Sequence, residues 1–169
     1  MVASPAGYLP FDTPLGRCAV AWGPRGITRV WLPEARDPVA RGTPPAAVLD
    51  AVSDIVALLA GEPRDLRHVA LDLGDVSEFR RAVYEIARTI PPGATLTYGD
   101  IARRLGDVAL SRDVGQALGR NPCPIVVPCH RVVGAGGALV GFSAPGGTST
   151  KERLLRTEGA LAPPPLTLF

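Results

Sequence analysis

The chain has 169 residues, 46% of them hydrophobic and 20% charged, with a net charge of +2. That supplies a core for one ordinary domain or two small ones. No apolar run approaches the roughly 18 residues of a membrane span, and the start lacks the order of a secretory signal, so a soluble, cytoplasmic protein is expected. The charge permits contact with nucleic acid without demanding it. Three cysteines and two histidines, with no Cys-x-x-Cys pair, argue against a disulfide framework and against a structural zinc site.

In chain order, Cys18-Ala-Val-Ala-Trp22 and Ile27-Thr-Arg-Val-Trp-Leu32 predict two strands of a hairpin around the turn-forming Gly23-Pro-Arg-Gly26. A proline-rich connector from Pro38 to Pro45 leads into a helix over Ala46 to Ala60. There Val48, Val52, Ile55, Val56 and Leu59 share a face, and Gly61 follows as a cap. His68-Val-Ala-Leu-Asp-Leu73 reads as a further strand. Ser77 then precedes a helix carrying Phe79, Val83, Ile86 and Ile90, which Pro91-Pro-Gly93 stops. A domain boundary is placed near Gly74, giving domains 1–74 and 75–169. The expected fold class is mixed α/β (α+β), a small sheet-plus-helix unit followed by a mostly helical one.

Thr97 is an N-cap for a short helix from Tyr98 to Leu105, and a second helix covers Ser111 to Gly119 beyond a tight segment containing Gly106. Such a pair fits a helix-turn-helix, whose second helix can enter a DNA groove. By itself it fits a plain packing unit better. The tail Pro163-Pro-Pro165 reads as a stiff, exposed end.

Chemistry concentrates in Asn121-Pro-Cys-Pro-Ile-Val-Val-Pro-Cys-His-Arg-Val-Val133. The run Ile125-Val-Val127 suits a buried strand, and prolines at both ends would hold Cys129 at its end in a fixed position, as a nucleophile requires. A free thiol is only a few per cent ionised near neutrality, and an imidazole that accepts its proton raises that fraction. His130 is the neighbour that could do so, through a turn or a bridging water. The competing reading makes Cys129 a packed apolar thiol.

Pro128-Cys-His-Arg-Val132 closely resembles the active-site signature of the O6-alkylguanine-DNA alkyltransferases, also called methylated-DNA-protein-cysteine methyltransferases. The resemblance runs from Ser77 to about Gly159, and the hairpin, helix and strand before it look like the family's smaller, ribonuclease-H-like domain. It implies a single-turnover transfer of the alkyl group from O6-alkylguanine, and less readily O4-alkylthymine, to Cys129, without a cofactor or metal. His130 then matches the water-linked base, Glu158 the acid that orients it, and Asn121 the hinge asparagine that braces the active-site turn. A carboxylate that fixes an imidazole tautomer and stabilises its charged form gives this relay its physical logic.

The resemblance also implies nucleotide flipping, since O6 is inaccessible to a buried thiol inside a duplex. Arg112 matches the finger that fills the vacated space. Tyr98 matches the tyrosine that crowds the phosphate and donates to the leaving base. Gly115 and Ala117 would allow close approach to the minor groove, with Arg120 the basic residue near the helix end. Tyr98, Val132, Phe142 and Ser143 would line the base pocket. The implied partner is duplex DNA containing O6-alkylguanine, bound by a monomer. Phe142 stands where many relatives carry tyrosine, Asp113 places a negative charge beside the finger, and the loop Ala144–Thr150 is longer than expected. Three rivals remain: a non-repairing recognition module, a regulator using the helix pair alone, and a thiol hydrolase.

Overall fold

The computed structural model describes residues 6–33 and 38–162; Pro163-Pro-Pro165 lies outside them. The predicted hairpin is present as β2 (Gly16–Gly23) and β3 (Gly26–Trp31), paired antiparallel with Val20 opposite Val30. A strand that sequence reasoning missed, β1 (Gly7–Thr13), pairs on the other side of β2, Phe11 opposite Cys18. Pro10 obscured it, because proline breaks a strand pattern, yet it is tolerated on the edge position that β1 occupies. Central β2 is covered on both faces, so Cys18 to Trp22 are all buried and read as one apolar run. The helix α1 (Ala46–Leu59) packs Val48, Ala51, Ile55 and Leu58 into the same core, and Gly61 follows it at φ +94°.

The strand expected over His68–Leu73 does not form. Leu71 makes a single parallel bridge to Ile27, while the carbonyls of Leu66, Arg67 and Val69 are taken by the Arg88 guanidinium at 3.0, 3.1 and 2.7 Å. A side chain from the next helix satisfies the backbone groups that a strand ladder would otherwise use. Gly26 permits the close approach of this segment: its φ is +143°, and a Cβ there would run into the Ala70 carbonyl.

Ser77 accepts from the Arg80 amide at 3.2 Å and starts α2 (Glu78–Arg88), as its sequence predicts. Its Tyr84 hydroxyl donates to the Ala117 carbonyl at 2.7 Å, tying α2 to the helix pair. That pair is α3 (Tyr98–Arg104), opened by a reciprocal Thr97–Asp100 capping box, and α4 (Ser111–Gly119). Gly106 at φ +105° and a short 3-10 turn over Val108–Leu110 join them. Two short strands, β4 (Leu96–Thr97) and β5 (Val132–Val133), pair in parallel, and α5 (Gly147–Thr157) is the last helix of the described chain.

A second correction falls on Ile125-Val-Val127, which is a buried tight turn rather than a strand. Ile125 has φ +73°, and Pro124 and Val127 form only an isolated bridge. Pro122, Pro124 and Pro128 remove three amide donors, so no ladder can propagate. A β-branched residue in the left-handed region costs on the order of 1–3 kcal/mol, and Ile125 is held there by burial at 2% exposure.

Candidate active site

The turn positions the sulfur. Asn121 Nδ2 donates to the Val127 carbonyl at 2.8 Å, and its Oδ1 accepts from the Cys123 amide at 2.9 Å. Pro128 then leads into a single 3-10 turn, Cys129–Arg131, so the cysteine sits before β5 and not at the end of an incoming strand. At 7% exposure its sulfur is nearly enclosed.

Behind it lies a buried charged cluster. His130 Nε2 stands 2.9 Å from Glu158 Oε1, and Arg131 donates to the same carboxylate through Nε at 2.8 Å and NH2 at 2.7 Å. Arg131 NH1 also donates to the Ile90 carbonyl at 2.7 Å. Glu158 ends α5 with a side chain only 3% exposed, which removes the alternative that it is a solvated surface charge. Burial alone would raise its pKa; the hydrogen bonds from Arg131 and His130 outweigh that and hold it at about 2. An ionised carboxylate is acceptor-only, so Nε2 carries the histidine's proton. Burial lowers the His130 pKa despite Glu158, so the resting ring is neutral. Its Nδ1 has no hydrogen-bond partner among the described residues and is left as an acceptor.

Burial raises the Cys129 pKa, opposed by the Asn121 hydrogen bond, the Lys151 charge and the backbone amides of Cys129 and His130. The resting group is therefore a thiol. Cys123, wholly enclosed, is pushed up to about 12 by burial and has no route to chemistry.

Two buried residues escaped sequence reasoning. Arg131 is the third member of the cluster around Glu158. Lys151, the single lysine of the chain, is fully buried. Its Nζ donates to the carbonyls of Val132 at 2.5 Å and Val140 at 3.1 Å, and to the Tyr98 hydroxyl at 3.4 Å. Fixed spacing from the Pro-Cys-His-Arg motif offered no signal for it; a lysine on an amphipathic helix ordinarily faces water.

A cavity of about 750 Å³ opens over Cys129, lined by Tyr98, Arg112, Gly115, Gln116, Phe142 and Ser143, among others. Of the predicted DNA and pocket residues, Tyr98, Arg112, Gly115, Phe142 and Ser143 thus line the cavity that Cys129 also borders. Arg112 is exposed and makes no ion pair among the described residues. Arg120 is exposed at the end of α4, where its carbonyl accepts from Arg80. Two residues fall elsewhere. Ala117 lies in the core at 3% exposure, and its carbonyl accepts from the Tyr84 hydroxyl. Val132 is wholly buried in β5, its carbonyl accepting from Lys151. Both side chains are buried in this structure.

The cluster makes stability acid-sensitive. The Glu158 carboxyl falls from an ordinary 4.5 to about 2. Its contribution is therefore complete above about pH 4.5 and is lost as the pH drops towards 2. Urea denaturation at a series of pH values between about 7 and 2.5 should show this loss, and Glu158→Gln should flatten it; an unchanged slope in the variant would place the acid sensitivity elsewhere.

Residues 78–160 match the family described as "6-O-methylguanine DNA methyltransferase, DNA binding domain". The chain is 39% identical over 165 residues to the methylated-DNA-protein-cysteine methyltransferase of Mycolicibacterium paratuberculosis, covering 96% of this chain and 98% of that one. It is 37% identical over 147 residues to the protein of the same name from Methanothermobacter thermautotrophicus, covering 86% and 81%. Among solved structures, the Mycobacterium tuberculosis O6-methylguanine methyltransferase superposes with a TM-score of 0.74 at 35% identity, covering 95% and 96%. The OGT of that organism in complex with DNA gives 0.73 at 35% identity, covering 90% and 92%.

Proposed function

The chain belongs to the methylated-DNA-protein-cysteine methyltransferase family, and from that premise we propose that it repairs O6-alkylguanine in duplex DNA by moving the alkyl group onto Cys129, once per molecule. The observation that carries the reading is the buried thiol at the floor of an open cavity, backed by a neutral imidazole whose tautomer Glu158 sets. The His130 Nδ1 lone pair takes the thiol proton through a bridging water, and Glu158 stabilises the resulting imidazolium. The sulfur then attacks the alkyl carbon. The S–C bond forms as the C–O6 bond breaks, and the electron pair goes to the base, where the Tyr98 hydroxyl donates a stabilising hydrogen bond. The product thioether has no chemical route back to a thiol, hence one turnover; O4-alkylthymine is a poorer substrate of the same step.

DNA binding and transfer are assigned to residues 75–169, with residues 1–74 forming the second domain, and the protein acts as a monomer. In this reading α4 lies in the minor groove, where sequence is weakly read, and Gly115 permits close approach. Arg112 occupies the gap left by the flipped nucleotide, Phe142 walls the base and Ser143 bonds near O6. Arg112→Ala should slow repair in duplex DNA by about tenfold or more, since flipping costs a few kcal/mol, while transfer from free O6-methylguanine base stays unchanged. Equal slowing of both would remove the finger role.

The direct test mixes the protein with equimolar duplex containing one O6-methylguanine and follows intact and peptide masses. One methyl adduct on Cys129 with restored guanine is expected. Damage-specific binding without an adduct would favour a non-repairing recognition module, and turnover of acyl substrates a thiol hydrolase.

A further inference from the structure

Cys129 borders two clefts. Besides the cavity over α4, a second cleft of about 490 Å³ reaches the sulfur from the side of the N-terminal sheet. Gly119, Phe142 and Ser143 line both, so they form the divide between them. The far wall is the β3 edge with Arg29 and Trp31, continued by Pro33 beyond it, and Arg120 closes the α4 side. Two guanidinium residues and no carboxylate line this cleft. Arg29 is exposed, stands 5.2 Å from the Trp31 ring centroid and makes no ion pair among the described residues.

In-line attack aligns sulfur, alkyl carbon and O6, so any substituent on that carbon leaves the line sideways. With the base in the first cleft, the second is the open volume beside the sulfur. We infer that this second cleft receives the substituent on the transferred carbon and, through Arg29 and Arg120, favours substituents that end in a carboxylate; the inference rests on the alkyl-transfer reading above. For a carboxymethyl group the S–CH2 bond forms, the CH2–O6 bond breaks and its electron pair passes to the base, while the carboxylate keeps its charge and is held by charge-assisted hydrogen bonds.

Single-turnover rates from O6-methylguanine and O6-carboxymethylguanine, each in duplex and as the free nucleoside, test this with Arg29→Gln and Arg29→Lys. Arg29→Gln should lower the carboxymethyl rate about tenfold, the weight of one charge-assisted contact, in both duplex and nucleoside. The methyl rate should hold, and Arg29→Lys should restore most of the loss. An unchanged ratio with methyl transfer intact would overturn the inference alone. Equal losses for both adducts confined to duplex would also overturn it, assigning Arg29 to a DNA phosphate. Absence of methyl transfer in the unaltered protein would overturn the alkyl-transfer reading with it.

Discussion

Cys129→Ser should abolish alkyl transfer, a loss on the order of 10³-fold or more, as expected when a nucleophile is removed, and leave binding to alkylated duplex intact. The substitution is nearly isosteric in a turn braced by Asn121 and Pro128, so the cavity keeps its shape. The chemistry changes because serine has no accessible anion in a site where even the thiol is pushed up by burial. His130, made neutral by the same burial, is too weak a base to ionise an alcohol far above its own range. Peptide mass spectrometry after incubation with O6-methylguanine duplex checks the first half, and gel-shift titration the second. A methyl adduct on the substituted serine would refute the assignment of Cys129, whereas loss of both activities with a normal melting profile would mean that the thiol also holds the base.

Glu158 should produce the other large effect, and its two simplest replacements should part company. Glu158→Ala leaves Arg131 buried without a counter-charge and the His130 Nε2 proton without an acceptor, and breaking a buried pair in this way costs about 3–5 kcal/mol. Much of this variant should be unfolded at physiological temperature. Glu158→Gln keeps the shape and one acceptor for the His130 Nε2 proton but removes the charge that stabilises the imidazolium. The folded variant should transfer methyl groups about 10²-fold more slowly near neutrality, the usual scale of general-base assistance. Its rate should also recover towards alkaline pH, because Cys129 then ionises with less help from His130. A stopped-flow or quench-flow pH profile checks both the depth and the displacement. An undisplaced profile would leave Glu158 a purely structural anchor for Arg131.

Most of the linear elements are legible in the sequence. The α2 and α3 starts follow from Ser77 and Thr97, whose short oxygens satisfy amides that open a helix, and α1 follows from its repeating apolar face. The hairpin follows from two apolar runs around a glycine-proline turn. What failed was whatever depended on a distant partner. His68–Leu73 has the composition of a strand, but Arg88 from another helix takes carbonyls in and beside it. Ile125–Val127 has it too, but its flanking prolines withhold the donors and burial enforces φ +73° on Ile125. Ala117 reads in sequence as a groove-facing position of α4, whereas in the fold it is buried and its carbonyl accepts from the Tyr84 hydroxyl.

From the sequence alone Cys129 stands out as the candidate nucleophile, together with the order of motifs around it, because Pro128, Cys129 and His130 are covalently adjacent and local stiffness needs no tertiary partner. The resemblance carried by that stretch extended the reading to Glu158. That Glu158 is ionised and shared between His130 and Arg131, that Lys151 is buried against the loop carrying Phe142, and that two clefts meet at one sulfur is visible in the folded chain alone. The reason is electrostatic. A carboxylate or ammonium group in a sequence has an ordinary pKa and an ordinary preference for water, and which form it holds is set by burial and by charges brought near it from elements many residues away.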